Sequence, residues 1–314
     1  MWVSGTSAFF GLVLLCLSTY LSNGQDLTRK DTIGHPGSSD SLKCEHNPAR
    51  LRFSRELDYS LSFSGFLFVN WLHDKNANQI MGLQNLKYRM IAENDRGLTI
   101  SNLFIHNLGF QHYLDSITKV YSDDNTLTTK IDLRIKKNYT LAFSSNLTSR
   151  WMEGFDYSVN DSGKQTIILN STFLTPLIWT FSFGIGVIWK DFGSLNLGLS
   201  GGKLTYIQKT KIFEIRNITE YYGIPAGKNH RFEYGLSLQF LVNKDFLKRV
   251  HWDCDLLLFK NYNAPVDLNF KNLIGIRINK FLKTSIQTMV YYEEKVSKNI
   301  QVENLVSLGF YVHL

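Results

Sequence analysis

Asp253 and Asp255 stand two residues apart, a spacing that places both carboxylates on one face of a strand. With a histidine near the outer rim they would form a general acid–base pair of the kind a hydrolase uses. The histidines to consider, His106, His251 and His313, fall on separate expected strands. No serine or cysteine is marked as a nucleophile by an orienting base. Each histidine therefore reads as an interior or interfacial group, and the two aspartates as mid-strand lumen groups. Cys44, Glu45 and His46 have the chemistry of metal ligands but read as solvated tail residues. Cys254 is expected to point away from its aspartate neighbours as a lone buried thiol. The glycines at 184, 186, 198, 201 and 202 interrupt strands and permit bulges, and do not make a phosphate loop. No catalytic, cofactor-binding or metal-binding residue is assigned, so neither an enzyme nor a cofactor is expected.

The elements that position these groups follow from composition and alternation. The 314 residues are 44% hydrophobic, 14% aromatic and 19% charged, with 5 prolines, which excludes a disordered, collagen-like or mucin-like chain. A net charge of +7 is scattered, so no basic stripe selects nucleic acid as a partner. Three cysteines are too few for a disulfide scaffold.

Residues 8–21 form a signal-like apolar run, with small residues at Ser22 and Gly24 and cleavage expected before Gln25. No Lys or Arg precedes that run. Cys16 lies inside it behind Leu15, a poor lipidation context. The expected organisation is a signal peptide over 1–24, a flexible periplasmic lead-in over 25–50 and a barrel over 51–314. No later stretch approaches 18 apolar residues.

From Leu57 onward the pattern has period two. Leu57, Tyr59, Leu61, Phe63, Leu67, Val69 and Trp71 share one face. Leu127, Thr129, Ile131, Leu133 and Ile135 oppose Thr128, Lys130, Asp132, Arg134 and Lys136. Phe232 to Val242 alternate against Arg231, Glu233, Ser237 and Gln239, and similar runs span 266–278 and 282–292. Such runs are about twice the usual soluble strand and match the roughly 9–11 residues a membrane-crossing strand needs. Apolar side chains then face lipid, polar ones face a lumen, and closure removes the unpaired edges.

Short links at 94–97, 136–138, 190–194, 243–248 and 279–281 alternate with longer ones at 72–79, 112–126, 152–166, 207–230, 260–265 and 293–299. That gives an all-β, antiparallel up-and-down transmembrane barrel of about 12 strands with periplasmic termini. Pro176 challenges the count, but the apolar phase runs unbroken from Ile167 to Trp189, so one long strand is expected there. Helical spacing is confined to 208–221. The last strand alternates to Leu314, and Trp71, Tyr139, Trp151, Trp189 and Tyr206 are placed for interfacial girdles.

Twelve strands tilted by about 40° enclose a backbone diameter of roughly 24 Å, leaving on the order of a dozen ångströms once side chains are counted. The expected inward polar set is Asp58, Lys87, Arg89, Lys130, Asp132, Arg134, Arg231, Glu233, Asp253, Asp255, Lys271, Arg277 and Glu303. Its signs nearly balance, which favours a salt-bridged interior over an ion-selective pore. Five Asn-x-Ser/Thr sequons, at Asn138, Asn146, Asn160, Asn170 and Asn217, follow from an asparagine-rich composition.

Several landmarks resemble a Bacteroidota outer-membrane barrel family of unknown function, domain 3078. They are Asn70-Trp71, Ser122-Asp123-Asp124 in the expected second loop, Tyr222-Gly223, Phe259 with Asn261-Tyr262, Ile278-Asn279-Lys280-Phe281, Tyr292, and Glu303 with Gly309. Asp115-Ser116-Ile117 resembles that phylum's O-glycosylation sequon. The resemblance implies the cell outer membrane and a barrel, without a reaction. The expected partners are outer-membrane lipid, the barrel-assembly machinery during biogenesis and unidentified envelope proteins. The expected role is a structural or accessory subunit of an envelope complex, with a narrow solute pore as the alternative and an outer-membrane hydrolase as a third reading.

Overall fold

The computed structural model describes residues 51–66, 79–113, 118–159 and 165–313. The expected signal peptide and lead-in, Cys44-Glu45-His46, Asn70-Trp71, Asn160 and Asp115-Ser116-Ile117 lie outside them. The strands are β1 (Leu51–Phe66), β2 (Gln79–Asn94), β3 (Leu98–Tyr113), β4 (Thr118–Lys136), β5 (Tyr139–Ser149), β6 (Gly154–Val159), β7 (Gln165–Ser171) and β8 (Leu177–Trp189). They continue with β9 (Gly193–Tyr206), β10 (Glu220–Tyr221), β11 (Ile224–Pro225), β12 (His230–Leu247), β13 (Val250–Asn261), β14 (Val266–Arg277), β15 (Leu282–Tyr292) and β16 (Gln301–His313). One five-residue helix, α1 (Ile212–Arg216), lies in the 207–229 link.

Twelve of these strands close into an antiparallel barrel in the order β1-β16-β15-β14-β13-β12-β9-β8-β5-β4-β3-β2. β6 pairs with β7 and β10 with β11 as separate two-stranded hairpins. Closure follows from alternation: burial on the polar face of β4 takes in Lys130 at 4% exposure, while Leu133 and Ile135 on the other face stand open. The pattern is inside-out relative to a soluble protein. Phe183 and Val306 are 58% and 63% exposed, whereas Glu233 and Lys203 are buried.

Aromatic rings collect at both ends of the outer face. Trp179, Phe181, Phe232 and Tyr234 form one chain of ring contacts, and Trp189, Phe192, Trp252 and Phe246 another. Trp179 and Trp189 lie ten residues apart on β8, about 25 Å along the barrel axis after tilt, which is the height of a hydrocarbon band. This is the fold of outer-membrane β-barrels, and no described helix is long and apolar enough to cross a membrane.

The strand count and the five short links agree with the sequence reading, with three corrections. β7 pairs with β6, not with the barrel, and a tight turn joined by Thr172–Thr175 separates it from β8. The strand expected over Ile167–Trp189 is therefore two. Both keep the apolar phase because each buries one face, but Leu174 takes φ 52° and Pro176 has no N–H for the ladder. The 112–126 loop is mostly strand: β3 runs to Tyr113 and β4 starts at Thr118, so Ser122-Asp123-Asp124 sits within β4. The 243–248 turn is shorter, since β12 continues to Leu247 across a bulge.

The 207–229 link, at the end opposite the short turns, is structured. Ile207, Ile212, Phe213, Tyr221 and Ile224 form a small buried core within the 207–229 link. Tyr221 Oη donates to the Asn170 carbonyl, Arg216 Nη1 donates to Asn170 Oδ1 at 3.0 Å, and Lys209 meets Glu153 at 3.2 Å. These bonds fasten that link to the β6–β7 hairpin, in the region expected to be helical over 208–221.

Candidate functional site

The functional candidate is the lumen, because the strands deliver their ionisable groups there. Nearest the short-turn end, Asp253 of β13 meets Lys87 of β2 at 2.7 Å, although five steps of the sheet separate their strands. That ion pair spans the bore. Arg89 of β2 bridges Glu56 at 3.3 Å and donates to Asn243 Oδ1 of β12 at 3.0 Å, half-way round the ring. His251 Nε2 lies 2.9 Å from Asp253 and its Nδ1 lies 2.9 Å from Asp245, which also meets Arg277 at 3.6 Å.

Two residues farther along β13, the next layer holds Asp255 and its register partner Lys271 of β14. Lys271 Nζ reaches across to Asp124 of β4 and lies 3.3 Å from Thr126 Oγ1. Asp255 is half-buried and its Oδ1 accepts no hydrogen bond among the described residues.

A third layer closes the loop end. Glu293, just past β15 and 2% exposed, binds Lys203 of β9 at 2.7 Å and Arg231 of β12 at 2.9 Å, and accepts from Tyr291 Oη at 2.6 Å. Lys203 also meets Asp267 at 2.8 Å, and Lys295 meets Glu233 at 2.9 Å. Burial by itself would raise the Glu293 carboxyl. The Lys203 ammonium, the Tyr291 hydroxyl and Arg231 overcome it and hold Glu293 below the usual glutamate range. Tyr222 lies beside this cluster, and burial pushes its phenol up. Gly223, at φ 69°, stands where any Cβ would strike the Arg231 guanidinium and the Lys295 stem.

The wall between the layers is fitted by hydroxyls. Ser144, Ser182 and Ser237, from β5, β8 and β12, make a chain at 3.0 and 2.8 Å. Gly198 of β9 lies against it, where a Cβ would collide with Ser182 and Ser237. Nearer the short turns, Lys130 meets Asp132 at 3.4 Å and Ser194 Oγ at 2.9 Å, and Thr140 donates to Asp132 at 2.9 Å.

The thirteen residues proposed from sequence are thus distributed over several groups. Lys87, Arg89 and Asp253 share the first layer, with Arg277 joined to it through Asp245; Asp255 and Lys271 share the second; Arg231 and Glu233 share the third. Asp58 accepts from Tyr311 Oη at 2.9 Å, and Lys130 pairs with Asp132 on the wall. Arg134 is exposed at the short-turn rim, its N–H bonded to the Gly97 carbonyl. Glu303 lines a cavity of about 510 Å³ between the second and third layers. Asp253 is near the turn end of β13, not in mid-strand.

Sequence reasoning missed Glu56, Asp124, Lys203, Asp245, Asp267, Glu293 and Lys295. For Lys203 the signal was present: it alternates with Gly202 and Leu204 in a strand whose glycines drew attention instead. Glu293 lies in a loop, and nothing local shows that the loop turns inward. The expected lone thiol, Cys254, is buried at 7% exposure and is the free cysteine among the described residues. His106 contacts Trp151 at 5.3 Å between ring centroids, away from the His251 cluster. No group of metal-ligating residues suited to an ion occurs among the described residues.

No protein-family profile and no curated protein matches the chain. Solved structures similar to it are β-barrels. The translocator domain of the autotransporter NalP from Neisseria meningitidis aligns over 86% of this chain and 89% of its own, with 10% identity and a TM-score of 0.36. An outer-membrane channel from Pseudomonas putida F1 aligns over 88% and 100%, with 11% identity and a TM-score of 0.38. A monoaromatic hydrocarbon channel, CymD, aligns over 83% and 87%, with 6% identity and a TM-score of 0.30. Likeness at this level is one of architecture alone.

Proposed function

We propose that this chain is an integral outer-membrane barrel whose lumen is shut in its resting state, and that it serves as a structural or accessory subunit of an envelope complex. The observation that carries this reading is the pair of ionic spokes, Lys87–Asp253 and Lys271–Asp124, each joining strands five or six steps apart around the ring. Parting a buried ion pair without replacement leaves a stranded charge, at a cost of about 3–5 kcal/mol. Spokes of that strength oppose a standing water column. Residence in the outer membrane is supported by the apolar exterior and its two aromatic girdles, with periplasmic short turns and loops outside.

A narrow pore is the second reading, favoured by the cavity of about 510 Å³ already open inside the bore. Only the two lower side-chain layers separate it from the short-turn end. A hydrolase is disfavoured, because both ring nitrogens of His251 are engaged by carboxylates, Asp245 and Asp253, and neither is left for a nucleophile.

Recording from the purified chain in planar bilayers separates the readings. The closed-lumen reading expects no steps from the wild type and stepwise conductance from the Lys87→Ala/Lys271→Ala double variant. Stable ohmic steps from the wild type would overturn it in favour of the pore.

A further inference from the structure

The lumen cavity is walled by charges that are not all spent on one another. Glu303 of β16 faces into it and makes no hydrogen bond or ion pair with any described residue. Arg150, at the loop end of β5, also lines it, and its side chain engages only Ser171, one Nη donating to Oγ at 3.3 Å among the described residues. Five steps of the sheet separate β5 from β16, so the two groups enter the one cavity from opposite sides of the ring. Elsewhere in the lumen the third layer pairs its carboxylates with Lys203, Arg231 and Lys295, and in the second Lys271 is taken by Asp124 while Asp255, deeper in the wall, keeps one oxygen unbonded among the described residues. An anion and a cation left facing a polar chamber need water or a ligand to satisfy them.

The chamber's size falls in the range of small-molecule sites, and its walls mix those charges with Tyr222, Tyr291 and Leu257. Tyr222 of the 207–229 link and the 293–300 loop border it, and that loop is latched through Glu293 to Lys203 and Arg231. A guanidinium recognises a carboxylate through paired N–H donors, and a carboxylate recognises an ammonium.

We propose that this chamber binds a small zwitterionic solute, an amino acid or short peptide, with its carboxylate on Arg150 and its ammonium on Glu303. The assignment holds whether or not the lower layers conduct, so its test is separate from bilayer recording. Mid-chain apolar side chains of such a ligand would lie against Leu257 and the tyrosine rings.

The test is calorimetric titration of the full chain in detergent micelles with trialanine, N-acetyl-trialanine and trialanine amide. Trialanine is expected to give saturable heat, and each capped peptide to bind roughly ten-fold or more weakly, since each loses a charge-assisted contact. Glu303→Gln is expected to erase the preference for a free amine while keeping that for a free carboxylate. Arg150→Gln is expected to do the reverse. Glu303 is an exposed strand residue without a bonded partner among the described residues, so its variant should fold; the unchanged carboxylate preference checks this. Absence of saturable heat with trialanine, or equal binding of all three peptides, would overturn the proposal.

Discussion

The two ends of the lumen are closed by different means. At the short-turn end the closing groups come from strands and their tight links: Lys87, Arg89, Asp253, His251 and Glu56 project from neighbouring or opposed strands of a rigid wall. At the loop end the central group, Glu293, comes from a loop and reaches Lys203 and Arg231 from outside the barrel strands. A strand-borne closure is as stable as the sheet, because moving it means deforming the hydrogen-bonded cylinder. A loop-borne closure is only as stable as its own few bonds. The first end should therefore behave as part of the barrel and the second as a fitted cover.

Lys87→Met attacks the strand-borne end and has the largest expected effect. It strands the Asp253 carboxylate, and a loss of about 3 kcal/mol in barrel stability is expected, at the low end for a broken buried pair because His251 remains. Urea unfolding in lipid vesicles, followed by electrophoretic mobility, measures it. Asp253→Asn in the same chain should recover part of the loss, since no buried charge is then left unpaired.

Glu293→Gln attacks the cover. The expected loss is about 1–3 kcal/mol, confined to the loop end, seen as faster proteolysis within 293–300 with an unchanged barrel midpoint. The wild type should mimic the variant in acid. Because the Glu293 carboxyl is held below its ordinary value, its contribution is complete above the unfolded value of about 4.3 and is lost as pH falls through the lowered native value. Proteolysis should thus be the same at pH 7 and pH 5.5 and rise only in stronger acid. A rise already at pH 5.5 would show that another group holds the cover.

Gly223→Ala has the smallest expected effect. A left-handed backbone costs a side-chain-bearing residue about 1–2 kcal/mol, and the new methyl presses on Arg231 and Lys295. The same proteolysis assay should rank it below Glu293→Gln.

Much of the barrel was legible because alternation is local. Each of Leu127 to Ile135 declares its face by parity with its neighbours, and the tight links at Gly97 and Lys137 carry their own turn signals. Pairing across a lumen is not local. Nothing near Asp124 in the chain indicates Lys271, 147 residues away. The β6–β7 hairpin was hidden for a related reason. Ile167 and Leu169 alternate as a barrel strand would, but parity says which face is apolar and not which sheet receives it. Likewise Glu293, Lys295 and Tyr222 sit in irregular chain, where no period exists to assign a direction.

The stitching between the β6–β7 hairpin and the 207–229 link has a consequence for recognition. Arg216 and Tyr221 hold Asn170 from more than forty positions farther along the chain, so whatever approaches that end meets a discontinuous epitope. A synthetic peptide copying either loop alone would present the residues without their mutual placement. Antibodies raised against such peptides should bind the denatured chain and miss the folded one.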